Sequence, residues 1–274
     1  LYNLFTANFV LFLTQPNPSL FTELVNYTVI PIFDSLGIIK FLPKTRTLSQ
    51  AISQTAVAGN KPIPKMRPDL CISSASSLLK SFGKKMGDDF EEMIQLDHQG
   101  GRHLRQTYVN LSQSYEGFYH LRSNFMKSHA EVCLIGYILG IGDRHAQNML
   151  ISLESGKSVA IDFGYSFDAK FALAIPELSP FRFTPQIQGV MYPFKSQGIF
   201  KETMDKFLQQ LCQHRDTLLS LLSIFIKEPT LDWIKDSDKK GTLLEEFAQH
   251  RISIVKRKLA QDNPAKLTLD LLQN

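Results

Sequence analysis

The spacing of apolar residues predicts that most of this chain is helical. Within residues 103–139, apolar side chains first recur every three or four positions, which predicts a helix with one apolar face. Residues 130–139 are apolar on nearly all sides, as in a helix that is buried all round. The same spacing predicts helices at 201–222 and 243–259. The apolar face of the first helix consists of Tyr115, Phe118, Leu121 and Phe125.

Shorter segments have the alternation that is typical of β-strands. Residues 24–42 predict two short strands on either side of Asp34 and Ser35. Further along, residues 149–153 and 158–161 flank a turn-forming Glu-Ser-Gly-Lys segment and predict a hairpin. Since neighbouring strands lie ~5 Å apart, the residues that flank the open end of this hairpin are predicted to lie side by side.

The open end of this hairpin carries side chains with oxygen atoms. Asn148 precedes the first strand, Asp162 follows the second and begins an Asp-Phe-Gly triplet, and Asp143 lies five positions before Asn148. Phosphoryl transfer from a magnesium nucleotide needs such a set, because one Asp orients the attacking hydroxyl while an Asn oxygen and a second Asp bind the metal ions. Each motif alone is weak, and a tight turn with a capping Asp is the structural alternative. The joint spacing predicts a phosphoryl-transfer site.

Two longer motifs point to a particular kinase family. The order Gly-Asp-Arg-His at residues 142–145 resembles the kinases related to phosphatidylinositol 3-kinase, whereas common protein kinases have His-Arg-Asp. The segment Ile-Pro-Glu-Leu-Ser-Pro-Phe-Arg-Phe-Thr at 175–184 resembles the activation segment of the DNA-dependent protein kinase branch of that family. Further similar segments are scattered over most of the chain, at 27–31, 36–39, 225–229, 232–233, 256–260 and 263–264.

The resemblance implies an α+β fold. It is a protein-kinase-like catalytic domain of the PI3/PI4-kinase type, with a mostly helical large lobe and a truncated small lobe. Residues 1–42 then correspond to a remnant of the small lobe and the hinge, and residues 43–274 to the large lobe. The large lobe would contain a catalytic loop at 140–150, a metal-binding hairpin at 148–164 and an activation segment at 162–184.

The resemblance also implies roles for individual residues. Asp143 would be the catalytic Asp that orients the substrate hydroxyl, and His145 would stabilise the charge on the γ-phosphate. Asn148 and Asp162 would bind magnesium.

The expected hinge and cofactors follow from the same resemblance. Phe41 and Leu42 would contact adenine by stacking and through the backbone, although the family usually has Trp at the position of Phe41. The cofactors would be ATP and Mg²⁺, which Mn²⁺ can replace.

The kinase reaction also needs a Gly-rich loop and a strand Lys. Because no Lys or Arg precedes Lys40 and no such loop is found, we expect that the chain begins inside the small lobe and is inactive alone.

Three functions are compatible with these observations. The first is a serine/threonine protein kinase, which by resemblance acts in DNA double-strand break repair and DNA-damage signalling in the nucleus. Its substrates would be proteins with Ser or Thr, and accessory DNA-binding proteins would recruit the parent protein to DNA ends. The second is a phosphatidylinositol lipid kinase. Binding of a polyphosphorylated head group needs clustered basic residues, and Lys170 is the one basic residue between Tyr165 and Phe181, which disfavours this function. The third is a catalytically incomplete, non-enzymatic fragment.

Composition changes this interpretation little. The net charge of +4 is mild and argues against a surface devoted to polyanions. No segment is long enough to predict a membrane span, and we expect no membrane partner. The basic run Lys256, Arg257 and Lys258 predicts the solvated face of a C-terminal helix. His129, within an apolar region, is predicted to be a hydrogen-bonded core residue rather than a ligand.

Overall fold

The computed structural model of the protein describes residues 24–25, 27–33, 36–58, 101–168, 179–225 and 244–273. Most of these residues are helical. The strands are β1 (Val29–Phe33), β2 (Leu36–Ile39), β3 (Thr45–Thr47), β4 (Met149–Ser152) and β5 (Ser158–Ala160). The helices are α1 (Leu48–Ala58), α2 (Arg102–Leu111), α3 (Tyr115–Ile138), α4 (Pro185–Met191), α5 (Ile199–Gln213), α6 (Arg215–Phe225), α7 (Leu244–Leu259) and α8 (Pro264–Gln273).

The strands form two small antiparallel sheets. β1 pairs with β2, with Val29 opposite Ile39, as the sequence predicted for the segment before the hinge. The second sheet has the order β3-β4-β5, and its β4–β5 pair is the predicted hairpin. β3 begins at Thr45, just after the expected hinge, and joins the second sheet by pairing with β4. The chain therefore passes from one sheet to the other between Ile39 and Thr45.

The long helical region is interrupted, which the sequence analysis did not predict. α2 ends at Leu111 and α3 begins at Tyr115, because the Ser114 hydroxyl caps the new helix by accepting a hydrogen bond from the Gly117 amide at 3.0 Å. The predicted apolar face was wrong at its first position, since Tyr115 is 96% exposed in the first turn of α3. Phe125, at the other end of that face, is buried.

α3 is the central helix, and two apolar clusters pack against its two halves. Near its middle, Phe125 and Met126 pack with residues of α2, β4 and α4. Near its end, Leu134, Ile135 and Ile138 pack with residues of α5, α6 and α7. The predicted burial of residues 130–139 is confirmed for most of the range, although Val132, Gly136 and Tyr137 are half-buried. The expected catalytic loop follows α3 directly, so the loop starts from a helix whose last turns are largely buried.

His129 is a core residue, as predicted. Its ring is fully buried and stacks on Phe125 with 5.2 Å between the ring centroids. The Nδ1 atom lies 3.4 Å from Ser158 Oγ, and Nε2 lies 3.3 Å from the carbonyl oxygen of Arg182. Because a carbonyl accepts only, the proton of the neutral ring is on Nε2. Burial lowers the pKa of His129 from 6.5 to about 4.

The free energy of unfolding should therefore decrease at acidic pH, because the folded protein resists protonation of His129. The unfolded state takes up the proton below pH 6.5, whereas the folded state does so only near pH 4, so the contribution is complete above 6.5 and is lost between these values. We expect this residue to lower the free energy of unfolding by about 3 kcal/mol over that range. Urea unfolding across the range, for the wild type and His129→Gln, measures it. An equal pH slope in both proteins would contradict the prediction.

The basic run near the C-terminus was wrongly predicted to be solvated throughout. Lys256 is exposed and Arg257 is half-buried, but Lys258 is buried. Lys258 pairs with the carboxylate of Asp168, which lies ninety positions earlier in the chain.

None of the helices in the described part of the chain combines the length and apolar character that crossing a bilayer requires.

Candidate active site

The expected catalytic loop begins where α3 ends in a left-handed glycine. Gly140 has φ +59°, and its amide donates to the Tyr137 carbonyl while the Ile141 amide donates to the Gly136 carbonyl at 2.8 Å. This is the Schellman pattern that satisfies the last carbonyls of a helix. A Cβ atom at Gly140 would come within 2.4 Å of the Asp168 nitrogen, so the position requires glycine for space as well as for conformation.

Asp143 and Asn148 are joined across this loop. The Asn148 side-chain nitrogen donates to the Asp143 carbonyl at 2.9 Å and lies 3.4 Å from Asp143 Oδ2. Asp143 has φ 56°, in the left-handed region that Asn and Asp tolerate better than most residues. Because the amide nitrogen of Asn148 faces Asp143, the amide oxygen is the atom that can ligate a cation.

His145 lies beside Asp143 on the exposed side of the loop. The His145 Nε2 atom is 3.8 Å from Asp143 Oδ2, and the two side chains are 42% and 33% exposed. The Gln147 amide donates to His145 Nδ1 at 3.3 Å. Since Nδ1 accepts, the proton of the neutral imidazole is on Nε2, which can donate to a negatively charged group next to Asp143.

The hairpin brings Asp162 to Asn148. The ladder of β4 and β5 continues one step beyond Met149 and Ala160, because the Ile161 amide donates to the Asn148 carbonyl at 3.1 Å. Asp162 is the next residue, and it also has a left-handed φ of 57°. The structure therefore has Asn148 and Asp162 side by side at the open end of the hairpin, as the turn chemistry predicted.

Arg144 connects the loop to the end of the hairpin by hydrogen bonds, a role that the sequence did not predict. Its guanidinium donates to the Gly142 carbonyl at 2.7 Å, to the Ile161 carbonyl at 3.0 Å and to the Asp162 carbonyl. The guanidinium also lies over the ring of Phe163, 5.6 Å from its centroid. The signal was present in the Gly-Asp-Arg-His motif, but only the structure shows that this Arg bonds backbone on both sides of the site.

The other end of the hairpin is fixed to the helices. The Tyr108 hydroxyl donates to the Gly156 carbonyl at 2.7 Å, and the Asn124 side chain donates to the Ser155 carbonyl at 2.9 Å. Gly156 has φ +73°, and a Cβ atom there would lie 2.6 Å from the Leu121 carbonyl oxygen. These contacts fix the hairpin that carries Asn148 and Asp162 against the helices.

Tyr27 connects the segment before β1 to the same hairpin. Its hydroxyl lies 3.4 Å from the Ala160 carbonyl, to which it donates. Burial raises the pKa of Tyr27 to about 12, and nearby Arg144 and Asp162 have smaller, opposing effects. Tyr27 is therefore a neutral hydrogen-bond donor at physiological pH.

The expected hinge residues lie in the connection between the two sheets. Phe41 is 82% exposed, so its ring is accessible for stacking. The Leu42 carbonyl accepts a hydrogen bond from the Thr45 hydroxyl at 2.8 Å. Their contact with adenine stays a prediction.

The donors at the open end suit a magnesium nucleotide better than a protein-only metal site. Within the described segments, no three His, Cys, Asp or Glu side chains group in a way that could bind a metal alone. Mg²⁺ typically takes one or two protein carboxylates and completes its shell with phosphate oxygens and water. One carboxylate and one amide oxygen, from Asp162 and Asn148, agree with that chemistry.

Comparison with known proteins agrees with this geometry. The family model "Phosphatidylinositol 3- and 4-kinase" matches residues 9–235, a range that includes the loop, the hairpin and the Asp-Phe-Gly triplet. The chain belongs to this family. The fold class predicted from the sequence, a PI3/PI4-kinase-type domain that is mostly helical with small sheets, is confirmed.

Two relatives that are similar to this chain are protein kinases. The DNA-dependent protein kinase catalytic subunit of Gallus gallus is 34% identical over 279 residues, covering 92% of this chain. The serine/threonine-protein kinase MEC1 of Candida albicans is 28% identical over 211 residues, covering 77% of this chain. This chain spans 7% of the first of these proteins and 9% of the second.

A solved structure supports the fold. The FAT and kinase domain of CtTel1 is similar with a TM-score of 0.73 and 21% identity, covering 99% of this chain and 19% of that chain. The resemblance to phosphatidylinositol 3-kinase-related kinases, inferred from motifs alone, is confirmed by these matches.

Proposed function

We propose that this chain is the catalytic part of a serine/threonine protein kinase that transfers the γ-phosphate of ATP to a Ser or Thr hydroxyl. The observation that carries the proposal is the meeting of Asp143, Asn148 and Asp162 at one end of the β4–β5 hairpin, fixed by Arg144. Phosphoryl transfer depends almost entirely on positioning and electrostatic stabilisation, and a rigid loop–hairpin junction supplies both.

Each residue has a role that follows from its atoms. The Asp143 carboxylate would accept a hydrogen bond from the substrate hydroxyl and orient it. His145 would donate from Nε2 to the charged phosphoryl group. Asn148 and Asp162 would bind Mg²⁺, which when bound neutralises charge on the phosphates. Phe41 and Leu42 would contact adenine. The lobes would divide between residues 42 and 43, in the connection between β2 and β3.

The cellular role in the proposal is DNA double-strand break repair and DNA-damage signalling in the nucleus. It is supported by the likeness to a DNA-dependent protein kinase catalytic subunit. The whole protein would be recruited to DNA ends with accessory DNA-binding proteins, and its substrates would be proteins with Ser or Thr.

A lipid kinase is the second candidate, because the family model that matches this chain is named for kinases of phosphatidylinositol. The composition of residues 165–181, with Lys170 as the one basic residue, favours a peptide. We expect the purified full-length protein to phosphorylate a Ser/Thr peptide at least ~100-fold faster than phosphoinositide vesicles, since one Lys neutralises little of a multiply charged head group.

Parallel assays with radiolabelled ATP measure this ratio. A catalytically disabled Asp162→Asn protein serves as the control for contaminating kinases. Comparable transfer to lipid and peptide would contradict the expected preference for peptide, and faster transfer to lipid would favour the lipid-kinase assignment. Transfer to neither substrate would favour the non-enzymatic alternative.

A further inference from the structure

Three backbone hydrogen bonds join the catalytic loop to the segment that follows the Asp-Phe-Gly triplet. They run from Phe167 N to Leu139 O (2.7 Å), from Asp168 N to Gly140 O (2.9 Å) and from Gly142 N to Tyr165 O (2.6 Å). We call them the loop ladder. One of the two joined segments leads into Asp143 and the other follows Asp162, so a shift of one segment along the other changes the separation of these two carboxylates.

A buried ion pair lies at the end of the loop ladder. Lys258 Nζ is 2.9 and 2.8 Å from the two carboxylate oxygens of Asp168, and the side chains are 4% and 3% exposed. The ammonium also lies 5.3 Å from the ring centroid of Tyr137 on α3. The Asp168 carboxylate packs closely beneath Gly140, where a Cβ atom would come within 2.5 Å of Asp168 Cγ. The pair therefore joins α7, the end of α3 and the ladder.

A second basic residue of α7 contacts the same segment. Arg251 Nη1 donates to the Phe167 carbonyl at 2.8 Å. Arg251 and Lys258 are seven positions apart, which places them on one face of the helix two turns from each other. Phe167 and Asp168 have φ of 55° and 62°, a conformation that residues other than Gly rarely adopt and that persists where the surroundings fix it.

The energetics of a buried ion pair favour a positioning role over a contribution to stability. Desolvation of two charges offsets most of their attraction, so such a pair adds little net stability compared with an apolar pair of similar size. What the pair does supply is direction, because a bidentate contact fixes where Asp168 lies relative to α7.

We propose that the Asp168–Lys258 pair is a positioning device that sets the register of the loop ladder and so holds Asp143 and Asp162 at the separation that phosphoryl transfer requires. This inference rests on the proposed kinase function. Neither residue is expected to touch substrate, and both act through the backbone of residues 139–142 and 165–168.

The first test is kinetic and uses the full-length protein. Lys258→Met should lower kcat for peptide phosphorylation by about 30-fold, since misplacing catalytic groups by about 1 Å can cost up to 100-fold, while the KM values for ATP and peptide stay within about threefold. Lys258→Arg should recover most of kcat. Lys206→Met, which breaks an exposed pair with Glu202, is the matched control and should behave as the wild type.

The double variant Asp168→Asn/Lys258→Met separates positioning from folding. Removing both charges leaves no uncompensated charge, so we expect its melting temperature to approach that of the wild type. Its kcat should nevertheless stay at least tenfold low. A double variant with normal kcat would show that the pair serves folding alone and would overturn the proposal, even if the single variant is too unstable to assay.

Hydrogen exchange tests the pair independently of catalysis. In the double variant, peptides that contain residues 139–142 and 165–168 should exchange at least tenfold faster, while peptides from β4 and β5 should not change. If the wild type transfers no phosphate to any peptide, the kinase proposal fails, and faster exchange would still support the pair as the anchor of the ladder. Unchanged exchange in the variant overturns this inference whatever the activity.

Discussion

Replacing Asp162 with Asn should reduce phosphoryl transfer by roughly 1000-fold or more. Asp162 lies at the open end of the hairpin, next to Asn148, and would be the charged member of the proposed pair of metal ligands. Asn has the same shape and tolerates the left-handed φ of 57° at this position, so the variant removes charge with little change to the backbone. The loss would therefore report the metal rather than the fold.

The assay measures γ-phosphate transfer to a Ser/Thr peptide by the full-length protein at several Mg²⁺ concentrations. Asp205→Asn is the control, because Asp205 is an exposed carboxylate whose pair with Lys201 lies on one surface helix. Thermal unfolding should show both variants folded. Turnover of Asp162→Asn near the wild-type rate would refute the assignment of Asp162 as a metal ligand.

The parts of the site that the sequence predicted are those whose determinants are local. The hairpin follows from turn residues between two short alternating segments, and the pairing of these segments brings Asn148 next to Asp162. The loop geometry likewise follows from Gly140 directly after a buried helix. Because these features depend on a few adjacent residues, pattern and spacing were sufficient to predict them.

The parts that the sequence did not predict depend on contacts between distant segments. Lys258 lies in a basic run that has the appearance of a solvated helix face, and its partner Asp168 is ninety positions away. The support of the hairpin by Tyr108 is equally invisible, since its hydroxyl bonds a backbone carbonyl at Gly156. Such partners are determined by tertiary packing, which no local pattern encodes.

The missed break between α2 and α3 is different, because a local signal existed. Ser114 is a favourable N-cap residue three positions before Gly117, and its hydroxyl accepts a hydrogen bond from the Gly117 amide. The apolar spacing that continued across the break outweighed this signal in the prediction. The error placed Tyr115 on a buried face, but Tyr115 is the first residue of α3 and is exposed.

Asp143 should affect the rate constant rather than nucleotide binding. We expect Asp143→Asn to lower kcat by about 100- to 10,000-fold, the range for loss of a positioned acid–base group, while the KM for ATP changes less than about threefold. The backbone should tolerate the change, because the stronger contact of Asn148 is with the Asp143 carbonyl, at 2.9 Å, and the left-handed φ of 56° suits Asn.

The ratio of the two effects distinguishes Asp143 from Asp162. If Asp143 orients the hydroxyl, its removal acts mainly in the transition state, so kcat and kcat/KM fall together. If it instead bound the metal, the loss would depend on Mg²⁺ concentration, as expected for Asp162→Asn. Steady-state kinetics at low and saturating Mg²⁺ distinguish the two cases. If excess Mg²⁺ restores the activity of Asp143→Asn, then Asp143 binds the metal and does not orient the hydroxyl.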